Sequence, residues 1–206
     1  MKKKLLVTSI IISILIFIVI ALSLNSGFVS FIDSWLYGET IEERSNVLTF
    51  IMLIFTTIGG TVGVVTACIL LFISPKIRKN LAWPVVISVI VAAVSNNLLK
   101  ILFERPRPDF LRIINADSYS FPSGHAMISM ALYFTIAIIS IKYIKNKKFK
   151  YGIFIFCLLM PLLIGISRIY LGVHYFSDVI GGWVLGFVIA AIVSAIYIKK
   201  NEEKHK

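Results

Sequence analysis

Long apolar runs separated by short polar intervals set the pattern of this chain. The runs cover Leu5–Leu24, Val47–Ser74, Leu81–Phe103, Ser123–Tyr143, Tyr151–Ile169 and Tyr175–Ile198. A helix crosses a hydrocarbon core with roughly 20 residues, and each run is of that order. In lipid the backbone must satisfy its own N–H and C=O groups, which makes helices the expected form. The pattern therefore predicts an all-α, polytopic membrane protein: a six-transmembrane-helix bundle forming one membrane-embedded domain over residues 1–206.

The breaks in the pattern add detail. The first run follows Met1-Lys2-Lys3-Lys4, and Ala21-Leu22-Ser23 faintly resembles a signal-peptide cleavage site. The run is longer than the usual ~7–15-residue signal core, so a retained helix is expected. In the polar interval Asn25–Ser45, Phe28, Ile32, Trp35 and Leu36 recur at helical spacing. A helix lying in the interface and a loop with an aromatic anchor fit equally well. Gly59-Gly60 and Gly63 fall inside the second run, where they predict close helix contact or a local kink.

Composition points the same way. Of 206 residues, 58% are hydrophobic and 15% charged, against about 25% charged in a soluble domain. The net charge of +11 does not call for nucleic acid, because the lysines cluster between membrane-length runs, where anionic lipid headgroups account for them. Cys68 and Cys157 each sit inside an apolar run and read as small hydrophobes, with neither metal-type spacing nor a disulfide framework.

Charge also orients the chain. One set of interval ends carries Lys2 to Lys4, Lys76, Arg78, Lys79, the five lysines from Lys142 to Lys150, and Lys199, Lys200, Lys204 and Lys206, fifteen in all. The other carries six: Arg44, Lys100, Arg105, Arg107, Arg112 and Arg168. The positive-inside rule makes the fifteen-residue side cytoplasmic, with both termini there. The six work against that bias, and five of them fall in or beside three polar stretches. An anionic ligand on the extracytoplasmic side is the simplest reason to keep them.

Those stretches are Lys100 to Arg107-Pro108, Pro122-Ser123-Gly124-His125, and Ser167-Arg168 through His174 to Asp178. Arg107 and Arg168 offer planar forks to phosphate oxygens, and Lys100 a point charge. Ser123 and Gly124 open a helix whose amides and dipole favour an anion, and Gly124 lets the backbone approach closely. His174 and Asp178 are four apart, on one face at the start of the sixth helix. The carboxylate can hold the proton of one ring nitrogen and leave the other as a nucleophile. His125, just after the Ser-Gly pair, is placed to protonate a leaving oxygen.

Together the stretches resemble the signature of the type-2 phosphatidic acid phosphatase family, the membrane lipid phosphate phosphatases, including bacterial undecaprenyl-diphosphate and phosphatidylglycerophosphate phosphatases. That signature is Lys, six residues, Arg-Pro; then Pro-Ser-Gly-His; then Ser-Arg, five residues, His, three residues, Asp. Every position and spacing matches. The resemblance implies a hydrolase acting through a phosphohistidine at His174, oriented by Asp178. It implies His125 as the acid, and Lys100, Arg107, Ser123, Gly124 and Arg168 as phosphate binders. It implies no metal and no cofactor.

The remaining polar residues have blander readings. Glu104, Arg105, Asp109 and Arg112 read as a solvated loop before a role in shaping substrate entry, Gly181, Gly182 and Gly186 as close-packing positions before a role in lining the site, and His205 as a tail residue. The function expected is hydrolysis of a lipid phosphate or diphosphate: undecaprenyl diphosphate, phosphatidylglycerophosphate or phosphatidic acid. The alternative is an anion-binding transporter without hydrolysis, which charged residues deep in several runs would favour; here they cluster at the ends. A catalytically dead relative would have lost a histidine, and both are present. The partners expected are the lipid substrate and the bilayer. The sequence does not choose among the lipids or set an oligomeric state.

Overall fold

A computed structural model describes residues 3–73 and 75–203. Expectations placed on Met1, Lys2, Ser74, Lys204, His205 and Lys206 lie outside the described residues. Helix α1 spans Lys3–Ser23, α2 Gly27–Glu42, α3 Asn46–Gly59 and α4 Thr61–Ile73. A short turn, α5 (Pro75–Ile77), and a π-helical turn over Arg78–Ala82 lead into α6, Trp83–Phe103. Helices α7 (Gly124–Tyr143), α8 (Lys147–Tyr170) and α9 (Phe176–Glu203) complete the bundle. The long apolar helices and the bent α3–α4 pair give five to six membrane spans.

The second run departs from a single straight span. Helices α3 and α4 meet at 55°, with Gly60 extended between them at φ −77° and ψ 174°. The glycines permit the break and also need it. A Cβ on Gly59 would collide with Ile164, and one on Gly63 with the Ile58 carbonyl.

Helix α7 is the axis of the bundle. It packs against α3, α6, α8 and α9, and its buried face runs from Ala126 to Ser140. Two glycines of α9 let that helix close on it. A Cβ at Gly182 would lie 2.6 Å from the Ser123 carbonyl oxygen, and one at Gly186 would strike the Met127 carbonyl. Gly181 makes room for the Phe121 ring, which stacks on Phe17 of α1 and meets Phe103 of α6 edge-on. Elsewhere α1 exposes Ile11, Leu15 and Val19, as a helix facing lipid does.

The polar interval after α1 is a helix, capped by the Ser26 hydroxyl accepting from Val29 N–H. Its outward face carries Phe28, Phe31 and Trp35. Its inward face carries Asp33 and Tyr37. Tyr37 donates to the Phe110 carbonyl. At the next corner Arg44 donates to the Tyr170 carbonyl at 2.8 Å and the Leu111 carbonyl at 2.6 Å. These bonds fasten α2 and the 104–122 loop over one end of the bundle. The other end carries the lysine clusters, where Lys142 of α7 pairs with Glu202 of α9.

Candidate active site

The three polar stretches converge at the fastened end. Lys100 lies in the last turn of α6, and Glu104 turns the chain out through a left-handed φ of 44°. Ser123 begins α7, Arg168 lies in the last turn of α8, and His174 sits in the short connection before α9. The Ser123 amide donates to the Asp178 carbonyl at 3.0 Å, joining the second stretch to the third directly.

Asp178 is fully buried, so each oxygen must be satisfied. Oδ2 accepts from the Tyr175 amide at 2.8 Å and from the Ser120 hydroxyl, and lies 3.4 Å from His174 Nδ1. Reaching back from the third helical position to the amide before the helix is half of a capping box. The same oxygen thereby starts α9 and faces the histidine. Oδ1 accepts from Arg105 Nη1 at 2.6 Å.

His174 is buried, and its other ring nitrogen, Nε2, lies 3.1 Å from Arg107 Nη1. A guanidinium can only donate, so Nε2 is the acceptor and Nδ1 carries the proton, toward Asp178 and Ser120. Burial pushes the imidazole pKa down to about 3 against the pull of Asp178. The side chain is thus a neutral imidazole with an outward lone pair.

Arg107 meets that nitrogen, and Lys100 shares Ser118 and the Tyr119 carbonyl with Arg107. Arg107 also donates to the Val173 carbonyl at 2.7 Å and the Ser118 hydroxyl at 3.1 Å. Lys100 donates to Ser118 Oγ at 2.9 Å and to the Tyr119 carbonyl at 2.6 Å. Burial lowers the Arg107 pKa, the mark of a cation held where an anion would stabilise it. An open cleft of about 690 Å³ lies beside them, lined by Lys100, Arg105, Arg107, Arg112 and Ser118 among others.

On the far side, polar groups stand without partners. The helix-starting Ser26, Ser45 and Asn146 each accept from their own helix, whereas Ser123 makes no such cap. Its hydroxyl is buried and unpaired, as is Arg168 Nε. Among the described residues only Ser194 Oγ shares that condition. Arg168 donates its other arm to Thr56 on the broken helix. His125 lies within electrostatic reach of Arg168, His174, Arg107 and Lys100. A Cβ on Gly60 would stand 3.6 Å from its Nε2.

One reading from sequence gains a second reason and another changes. Gly124 also serves packing, because a Cβ would stand 2.9 Å from Asn96 Oδ1, where α6 crosses α7. Arg105 is not a solvated loop residue: its side chain is 11% exposed and pairs with Asp178 and Asp33. Thr56, Ser120 and Asp33 also reach the site unannounced. Thr56 had the Gly-Gly break as its signal, whereas Asp33 had none.

The sequence profile of the PAP2 superfamily matches residues 81–202. The chain belongs to this superfamily. Phosphatidylglycerophosphatase B of Bacillus subtilis is 29% identical over 196 residues, covering 93% of this chain and 96% of that protein. An undecaprenyl-diphosphatase of Sulfolobus acidocaldarius is 32% identical over 152 residues, covering 69% and 68%. The crystal structure of a transmembrane PAP2-type phosphatidylglycerolphosphate phosphatase from Bacillus subtilis superposes with a TM-score of 0.84 at 28% identity, covering 96% of this chain and 98% of that one. LpxE of Aquifex aeolicus gives 0.63 at 28% identity, covering 81% and 94%. This PAP2 protein is accordingly a multi-pass membrane lipid phosphatase, a phosphoric ester hydrolase whose partners are its lipid substrate and the bilayer. The transporter alternative falls with that assignment.

Proposed function

We propose that the chain is a single phosphatase domain that removes a terminal phosphate from a lipid through a phosphohistidine at His174. The carrying observation is the pair of buried, unpartnered donors, Ser123 Oγ and Arg168 Nε, in the site that holds the acceptor lone pair of His174 Nε2. Leaving buried polar groups unsatisfied costs about 1–3 kcal/mol each. A phosphate supplies acceptors for both.

In this reading the phosphate sits on the N-terminus of α7, with Lys100, Arg107 and Arg168 on its oxygens. Arg107 moves from Nε2 onto a phosphate oxygen as the substrate arrives, which uncovers the lone pair. Nε2 then attacks phosphorus, the bond to the lipid oxygen breaks, and His125 gives that oxygen a proton. Asp178 stabilises the positive charge that develops on the ring. Water next attacks the phosphohistidine, His125 takes its proton, and inorganic phosphate and neutral His174 are regenerated. Three cations and the helix amides stabilise the equatorial oxygens, so the chain's own residues supply the positive charge the reaction needs. Activity is therefore expected to survive a strong chelator; loss restored by a divalent ion would overturn that.

The charge bias supports a site on the extracytoplasmic side with both termini in the cytoplasm. The candidate substrates are phosphatidylglycerophosphate, undecaprenyl diphosphate and phosphatidic acid. The relative that matches over nearly the whole of both chains is named for the first, which puts that lipid first in the panel. The deciding assay is phosphate release by purified protein from these lipids and a water-soluble ester, with His174→Ala in parallel. Release that needs His174 is expected. Release that survives the substitution overturns the nucleophile.

A further inference from the structure

We propose that Asp33 is a positioning residue for His174, acting through Arg105 and Asp178 from a helix outside the family-matched region. This rests on the reading of His174 as nucleophile. Asp33 belongs to α2, whereas the superfamily profile begins at residue 81.

The geometry is a closed chain of contacts. Arg105 Nη2 donates to Asp33 Oδ2 at 2.7 Å, and Nη1 to Asp178 Oδ1 at 2.6 Å. The Tyr175 ring lies under the guanidinium, 4.4 Å from its centroid. Asp33 Oδ1 accepts from the Ser177 amide at 2.9 Å, and Oδ2 accepts from the Ser177 hydroxyl at 2.6 Å. That hydroxyl in turn accepts from Arg105 Nη1 at 2.7 Å. Both carboxylates are nearly or fully buried, at 2% and 0% exposed.

Neutralising Asp178 needs only one cation, and Arg105 is that cation. A second buried carboxylate adds desolvation cost, so its use lies elsewhere. Asp33 engages the second arm of the fork, and Tyr175 holds the plane. Arg105 is then left with one arm for Asp178, and that arm meets only Oδ1. Oδ2 remains for Ser120, the Tyr175 amide and His174. Without Asp33, the guanidinium can turn and take both oxygens of Asp178 as a bidentate pair. The carboxylate would rotate away from Nδ1, and the ring would lose its aim.

The test uses full-length protein in detergent with the lipid panel above. Asp33→Asn keeps the shape and removes the charge. The expected result is kcat lower by about tenfold or more, the scale of small misplacements in a reacting pair, with KM within about twofold. In an Asp178→Asn background the same substitution should change kcat by less than about twofold, because the carboxylate it acts through is gone. Ser177→Ala, which removes the hydroxyl between Arg105 and Asp33 and keeps the ion pairs and the amide contact to Asp33, should cost less than about threefold. Wild-type kcat in Asp33→Asn, an undiminished effect in the Asp178→Asn background, or an equal loss in Ser177→Ala would each overturn the proposal. If Asp33→Asn does not fold, Asp33→Glu carries the test: it keeps the charge one methylene further out, and unchanged kcat would overturn the proposal. His174→Ala separates the two readings. Activity in that variant defeats the nucleophile assignment itself, whereas an inactive His174→Ala beside a fully active Asp33→Asn defeats only this inference.

Discussion

The two halves of the site are built differently. Around Asp178 the donors and acceptors are paired: Arg105, Ser120 and the Tyr175 amide occupy the carboxylate, and His174 faces it. Around Ser123 and Arg168 two buried donors have no partner. A satisfied buried network fixes geometry without a ligand, while an unsatisfied one stores a cost that a ligand relieves. Under the proposed mechanism the first half aims the nucleophile, and the second receives the phosphate. Each half makes different demands on stability and on rate, and those demands can be measured separately.

The largest effect belongs where the halves meet. His174→Ala should lower turnover by about 10⁴-fold or more, the scale of losing a member of a catalytic triad, while the helical content in detergent is retained. Retained turnover would break the division, because the aiming half would then have nothing to aim. Next comes Arg168→Met on the receiving half. Removing one charge stabiliser costs about 10²–10³-fold. The same variant should lose stabilisation by inorganic phosphate. For the wild type, phosphate at a hundredfold excess over Kd should add about 2.7 kcal/mol to unfolding, seen as a rise in Tm. If Arg168→Met responds to phosphate as the wild type does, Arg168 is not a phosphate ligand.

How much of this could be read beforehand differs between the halves as well. The gathering of the proposed receiving half at one end of the bundle was legible: Lys100, Arg107, Ser123, Gly124 and Arg168 stand at fixed spacings next to helix ends, and local sequence sets helix ends. The apolar runs gave the spans, because in lipid hydropathy alone decides where a helix can lie. The break in the second span left its trace in Gly59-Gly60. The aiming half was only partly legible. His174 and Asp178 are four residues apart, but Arg105 and Asp33 are 72 residues apart and meet only when α2 folds over the loop. Asp33 lies between Trp35 and Phe31 in a stretch whose apolar spacing draws attention to the opposite face. Ser120 resembles any loop serine until the chain around the Phe121-Pro122 turn brings it under Asp178.

A smaller contrast separates the two serines. Ser123→Ala removes a hydroxyl that is buried without a partner, so the ligand-free protein should hold its stability or gain up to about 1 kcal/mol. Activity should still fall by about tenfold, the effect of one lost hydrogen bond to a charged group. Ser120→Ala leaves Asp178 short of a donor and should destabilise by about 1–3 kcal/mol. Denaturant unfolding of the two variants, side by side, reads the signs directly. If both lose the same stability, the receiving half is as satisfied as the aiming half and the comparison collapses.

The smallest expected effect is an absence of change. An unperturbed histidine titrates near pH 6.5, but burial holds His174 at about 3. Between pH 5 and 8 its ring should remain neutral, with the proton on Nδ1 and the lone pair on Nε2. With ¹⁵N-labelled histidine, and His174→Ala to assign the signal, the ring nitrogens should show a fixed tautomer across that range. The same shift has a sign in stability. Below about pH 6.5 the unfolded chain takes up a proton on His174 that the folded one refuses, so this group's contribution to stability falls as pH drops from there toward 3. A ring that titrates near 6.5 in the folded protein would mean that Asp178 fully offsets burial. The nucleophile would then be partly protonated at neutral pH, and the paired half of the site would be tuning charge rather than aim.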